Sequence, residues 1–312
     1  MPILRLNAGP EGLVLHGSPA PALPALRNAA RGNGPIIILI HGFKYDPGTP
    51  RFCPHGRIFG RTRHPESAYH TQWPRALGFA CGHADEGLAI AFGWRARGNL
   101  WRAQRSAWAA GVALAQAIHT IRIVAPRRPI HAITHSMGSE VMFEALHHLP
   151  AHAVQRIITI TGASYASAVK TAMETPAGRT AELLNVTSRE NDVFDAMFEK
   201  LIAADVPQDR AMGAGINLAN AVTLQLDCPR TLGALTRFGG HIHMPKRRVC
   251  HWSGYTRPGA LQFYARALRH SEELQLHALQ DALPDASAPR WSRIFAMPHM
   301  PSDLLGWQKT AS

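Results

Sequence analysis

The stretch "RPIHAITHSMGSEVMFEALHHL", Arg128 to Leu149, decides the fold. Its opening, "PIHAITHS" (129–136), is a short apolar run that predicts a buried strand. Its close carries Val141, Met142, Ala145 and Leu149 at three- and four-residue spacing, the period of an amphipathic helix. A strand that passes straight into a helix holds Ser136 at the point of a sharp turn, its hydroxyl presented to solvent. The positions two before and two after must be small, because strand and helix approach each other there. Thr134 and Gly138 occupy them.

Working outward, "PIIILIHG" (35–42) is a continuous β-branched run, the pattern of a strand covered on both faces. Similar runs recur at 87–94, 154–162, 181–188 and 221–227. Helical periods lie between them, most clearly at 100–124 and 139–149. Strands that alternate with helices predict an α/β fold: a mostly parallel sheet with helices on both faces. The segments "MPILRL" and "GLVLHG" around "NAGPE" predict an antiparallel N-terminal hairpin, which makes eight strands in all. We expect one domain over 1–312, with a long lid-like loop at 43–73 and an extended tail from 284 to 312.

Composition narrows the function classes. The chain is 46% hydrophobic and 17% charged, which is ordinary for a globular domain. No run approaches the roughly 18 apolar residues of a membrane span, and the first residues lack the apolar core of a secretory signal. A cytoplasmic location is the expectation. The formal charge of +12 comes from scattered Arg and Lys with no recognised nucleic-acid module, so specific nucleic-acid binding is not expected. Cys53, Cys81, Cys228 and Cys250 form no Cys-x-x-Cys pair and read as separate thiols.

The strand, the elbow Thr134-His135-Ser136-Met137-Gly138 and the upstream "IIILIHGFKY" resemble the α/β-hydrolase superfamily over roughly residues 1 to 270. Thr134 stands where the commonest motif has Gly, a mild departure. The resemblance implies that Ser136 is a nucleophile. It also implies an oxyanion hole from the backbone N–H groups of Phe43 and Met137, with His41 and Gly42 shaping the first of these turns. The competing explanation of Ser136 is a helix cap.

Chain order in the superfamily runs nucleophile, acid, base. The acid is expected in the loop after the second strand beyond Ser136, "RENDVFDAMFE", which offers Glu190, Asp192, Asp195 and Glu199; Asp192 is favoured over Asp195, and Asp227 follows if the strands are miscounted. For Asp192 the competing role is a helix N-cap. Among 18 histidines, His251 is the chosen base because it leads into the last helical pattern, with His241 and His243 the alternatives. His135 is assigned to packing. No metal and no cofactor are expected. Tyr45, Trp73 and Trp94 either line an acyl pocket or form a small core beneath the long loop.

These residues imply a serine hydrolase that cleaves a small-molecule carboxylic ester through an acyl-enzyme on Ser136. The same fold hosts acyltransferases, thioesterases and non-catalytic binding proteins.

Overall fold

Along "IIILI" every side chain is buried, but successive residues point to opposite faces. Ile36, Ile38 and Ile40 enter one hydrophobic core, while Ile37 and Leu39 enter a second on the other side of the sheet. A strand of this kind can only be interior. The computed structural model, described here for residues 2–60, 71–83, 85–284 and 287–295, builds the sheet around it.

The strands are β1 (Ile3–Gly9), β2 (Gly12–Leu15), β3 (Ile36–Ile40), β4 (Leu88–Gly93), β5 (Ile130–His135), β6 (Arg156–Ile160), β7 (Glu182–Thr187) and β8 (Ala221–Gln225). They form one sheet in the order β2-β1-β4-β3-β5-β6-β7-β8. The β1–β2 pair is antiparallel, and every other pairing is parallel. The expected hairpin and all six expected parallel runs are therefore present.

One face is covered by the helices Ala22–Ala30, Leu100–Val124 and Gly138–His147, the other by Pro229–Thr236, Ala260–Arg269 and Leu276–Ala282. Helix Leu100–Val124 has the length and apolar content of a membrane span, but 56% of its most apolar window is buried within the fold. Its alanines at 103, 107, 110, 113 and 117 face the sheet and the helix Gly138–His147. Small residues at that spacing let two helices and a sheet approach closely.

Within the 43–73 loop, residues 61–70 lie outside the described part, and so does any lid they form. The flanking residues are not loose: Ile58, Phe59 and Trp73 are fully or almost fully buried in the second core. The tail beyond 295 likewise lies outside the described residues. Residues 287–295 are pinned: the Arg290 guanidinium spans both Glu199 carboxylate oxygens at 2.8 and 2.9 Å, and Arg293 donates to Pro245 O and Arg247 O.

Candidate active site

Parallel strands end together, and their carboxyl ends form the rim where ligands bind in this architecture. Ser136 stands at the end of β5 with φ +52°, the left-handed region that a non-glycine residue seldom occupies. The Ser136 N–H donates to Ile160 O, and its carbonyl accepts from the N–H groups of Ser139 and Ala163. The strained turn is thus bonded on both sides. Ser136 does not cap the helix that follows: the N-cap residue is Met137, and no side chain caps that end.

Glycines make the turn possible. A Cβ on Gly138 would lie 2.5 Å from His41 O, and one on Gly42 would lie 2.7 Å from Ser136 Cβ and 2.8 Å from His135 O. Thr134, fully buried, fits by turning its hydroxyl to Ser139 Oγ at 3.0 Å. We expect Gly42→Ala to lower the urea unfolding free energy by about 1–3 kcal/mol, the usual penalty for overpacking. An unchanged midpoint would mean the two turns can move apart.

The Gly42–Phe43 peptide is held by His41. Its Nε2 accepts the Trp94 N–H at 3.1 Å, so the ring proton sits on Nδ1 and donates to Gly42 O at 2.9 Å. Burial pushes the imidazole down to about 3, which keeps it neutral. Fixing the Gly42 carbonyl fixes the same peptide plane's N–H, that of Phe43, pointing the other way. Among the described residues neither the Phe43 nor the Met137 N–H is paired with a protein acceptor. Two prearranged free donors beside a serine are what an oxyanion needs.

Trp94 is fully buried, stacked on His41 at 5.5 Å, and its indole N–H donates to His41 O. Trp73 is also fully buried, edge-on to Tyr255 at 5.3 Å. Of the two readings of the aromatics, the structure supports core for both tryptophans. Only Tyr45, half-buried against the His41 ring, remains near the rim.

The His251 backbone is clamped next to the elbow: its carbonyl accepts from His135 Nε2 and from Thr161 Oγ1, each at 3.2 Å, and the two rings are 4.7 Å apart. His135 thus does more than pack, holding the loop that carries His251 against the end of β5. Phe194 stacks on the His251 ring at 4.7 Å. Burial, with His135 and Lys44 nearby, holds His251 well below the ordinary imidazole range. No hydrogen bond joins the Ser136 hydroxyl to the ring among the described residues; such bonds commonly tighten only with substrate bound.

The partner of His251 differs from expectation. Its Nδ1 lies 2.7 Å from Asn191 Oδ1, not from a carboxylate. Asp192 points elsewhere, with Oδ1 3.3 Å from Arg189 Nη1 and Oδ2 accepting the Trp291 N–H. Nor does Asp192 act as an N-cap, since Asn191 holds that position and no side chain bonds there. Asp195 accepts from Asn191 Nδ2 at 2.8 Å. Asp227 braces a turn, accepting from the Arg189 N–H and from Gln225 Nε2. His241 and His243 are exposed and line an open groove with Pro229, Leu232 and Met244.

Another acid of the same loop, Glu190, holds the segment that carries His251. Glu190, almost fully buried, accepts from Ser253 Oγ at 2.7 Å and pairs with the Arg257 guanidinium, while its carbonyl takes the Cys250 N–H. It thereby ties the loop after β7 to the residues on both sides of His251. Among the described residues, one group has metal-like spacing, His270 with Glu272 and Glu273, and all three are exposed at the end of the helix Ala260–Arg269. The four cysteines are free thiols.

The sheet order, the elbow and the paired turns define an α/β-hydrolase fold. Residues 26–176 match the family model described as "Alpha/beta hydrolase of unknown function (DUF900)", in keeping with that fold. No curated protein matches the sequence. Among solved structures, the chain is similar to a Pyrococcus horikoshii acylaminoacyl peptidase (orthorhombic crystal form), at 12% identity with a TM-score of 0.32, over 82% of this chain. The chain spans 38% of that peptidase's length.

Proposed function

We propose that the protein is a serine hydrolase that cleaves carboxylic esters through an acyl-enzyme on Ser136. The observation that carries the reading is the left-handed Ser136 elbow facing two unpaired backbone N–H donors, with the His251 loop bonded to the neighbouring residue. A helix cap would need neither the strain nor the free donors.

In this reading Ser136 Oγ forms a bond to the ester carbonyl carbon and its proton passes to His251 Nε2. The carbonyl π pair moves onto oxygen, where the Phe43 and Met137 N–H groups receive it. Collapse breaks the bond to the alkoxy oxygen, which takes the proton from His251 and leaves as alcohol. Water then repeats the sequence on the acyl-enzyme, giving the carboxylic acid and free Ser136. Esters suit the site better than amides: no carboxylate contacts the imidazolium, so a leaving group that needs little protonation is favoured.

The test is treatment of the full chain with a fluorophosphonate, followed by digestion and mass spectrometry. The expected adduct lies on Ser136, formed with loss of fluoride. An adduct confined to another residue, or none, overturns the reading.

A further inference from the structure

An amide in the place of the acid poses a problem of orientation. Asn carries an acceptor oxygen and a donor nitrogen, and the two faces do opposite things to a histidine. With the oxygen toward His251, Nδ1 must carry the ring proton, and Nε2 is left with a free lone pair. With the nitrogen toward His251, Nδ1 must accept, the proton moves to Nε2, and the ring can no longer take a proton from serine. A wrong tautomer of this kind lowers turnover on the order of 10⁴-fold in serine proteases.

In the structure the oxygen faces His251, and the opposite end of the amide meets a carboxylate: Asn191 Nδ2 donates to Asp195 Oδ1 at 2.8 Å. Asn191 is 1% and Asp195 3% exposed, so water does not compete for either group. Turning the amide over would set its oxygen against an ionised carboxylate, two acceptors facing each other in a dry site. Among the described residues Asp195 has no other hydrogen-bond partner, and its Oδ2 is buried without one. A Cβ on Gly213 would lie within 2.1 Å of that oxygen, so the glycine leaves just enough room for the carboxylate.

We propose that Asp195 is a positioning residue: it locks the Asn191 amide with its oxygen toward His251, and so selects the imidazole tautomer able to deprotonate Ser136. This rests on the serine-hydrolase reading and extends it to a four-residue line from Ser136 through His251 and Asn191 to Asp195.

The lock is set by charge. The groups facing Asp195 are Arg189 from the 3₁₀ turn that precedes its helix, Arg290 from the C-terminal segment, and Asp192 and Glu199 from its own helix. Burial outweighs the two arginines and raises the carboxyl to about 7. Below that pH the protonated carboxyl donates, and the inverted amide becomes acceptable. Activity therefore falls as pH drops through about 7. His251 on its own is held well below its ordinary value and would place the acid limb lower.

The experiment measures the second-order rate of fluorophosphonate labelling of Ser136 in the full chain from pH 5 to 9, with a thermal unfolding midpoint for each variant. Wild type is expected to show a limb near pH 7. D195N is expected to label on the order of 10²–10⁴-fold more slowly at pH 8, with that limb gone. N191D/D195N, in which a carboxylate meets His251 directly and no amide needs locking, is expected to recover to within about tenfold of wild type. A merely structural role for Asp195 predicts no such rescue.

The inference is overturned if folded D195N labels at the wild-type rate, or if N191D/D195N stays as slow as D195N. Should D195N not fold, the wild-type limb decides: a limb well below pH 6.5 assigns it to His251 and removes Asp195 from the line. If wild type itself is not labelled at Ser136, the hydrolase reading falls first and takes this inference with it. Labelled wild type beside an equally reactive D195N removes the inference alone.

Discussion

Ser136→Ala is expected to abolish fluorophosphonate labelling and to lower kcat/KM for p-nitrophenyl acetate by a factor on the order of 10⁴ or more. The loss falls on kcat, because the hydroxyl supplies the bond that splits hydrolysis into two easier steps and contributes little to holding the ester. A residual rate above that of water alone should persist, since the Phe43 and Met137 N–H donors remain in place and still stabilise an oxyanion formed by direct attack of water. The substitution should leave the fold intact. Ser136 contributes no capping bond, and its three backbone bonds do not depend on the side chain. Alanine at φ +52° is strained, so a modest loss of stability is expected alongside the kinetic one. An S136A variant that retains more than about a tenth of the ester hydrolysis, against the losses usual for a nucleophile, would place the nucleophile elsewhere.

Much of this architecture was legible in the sequence, for a physical reason. Parallel strands buried on both faces need unbroken β-branched runs, and "IIILI" can satisfy two cores at once. The elbow was legible for the same kind of reason, since close approach of strand and helix restricts Thr134 and Gly138 to small residues. The pocket aromatics were not, because a buried tryptophan and a tryptophan lining a cleft are the same letter. Trp94 went to the core, where its indole N–H finds the His41 carbonyl.

The acid position shows most plainly where sequence reading stops. The side chain that meets His251 does come from the loop after β7, but which one it is depends on backbone direction. Arg189–Asn191 forms a single 3₁₀ turn. At three residues per turn, successive side chains diverge by about 120°. Arg189 turns toward Gly213 O and Asp192, Glu190 toward Arg257 and Ser253, and Asn191 toward His251. Three neighbours thus serve three different ends, and a shift of one residue separates Asp192 from the base. A sequence signal did exist: "REND" offers four polar residues in a row to a region bounded by buried strands, so each needs a partner.

Glu190→Ala is expected to have the largest effect on stability, because it breaks this arrangement at its centre. The Glu190 and Arg257 side chains are 1% and 4% exposed, so removing the carboxylate leaves a guanidinium charge in a dry site. Losing one partner of such a pair typically destabilises by about 3–5 kcal/mol, much of it the desolvation of the charge left behind. Arg257 keeps two bonds, to Leu226 O at 2.6 Å and to Ser253 Oγ at 3.3 Å, which neutralise none of its charge. Urea unfolding should show the midpoint falling with the slope preserved. The same substitution takes away the acceptor of Ser253 Oγ and loosens the segment that carries His251, so labelling of Ser136 should slow in whatever fraction stays folded. Replacing both charges, as in Glu190→Leu with Arg257→Met, separates the two effects. A well-packed apolar pair restores most of the stability, since a buried ion pair is seldom more stable than its hydrophobic substitute. It does not restore the bond from Ser253 to the loop after β7, so the base stays poorly held. If the double variant recovers labelling as fully as stability, Glu190 serves the fold alone, and the position of His251 is secured by the bonds from His135 and Thr161 to its carbonyl.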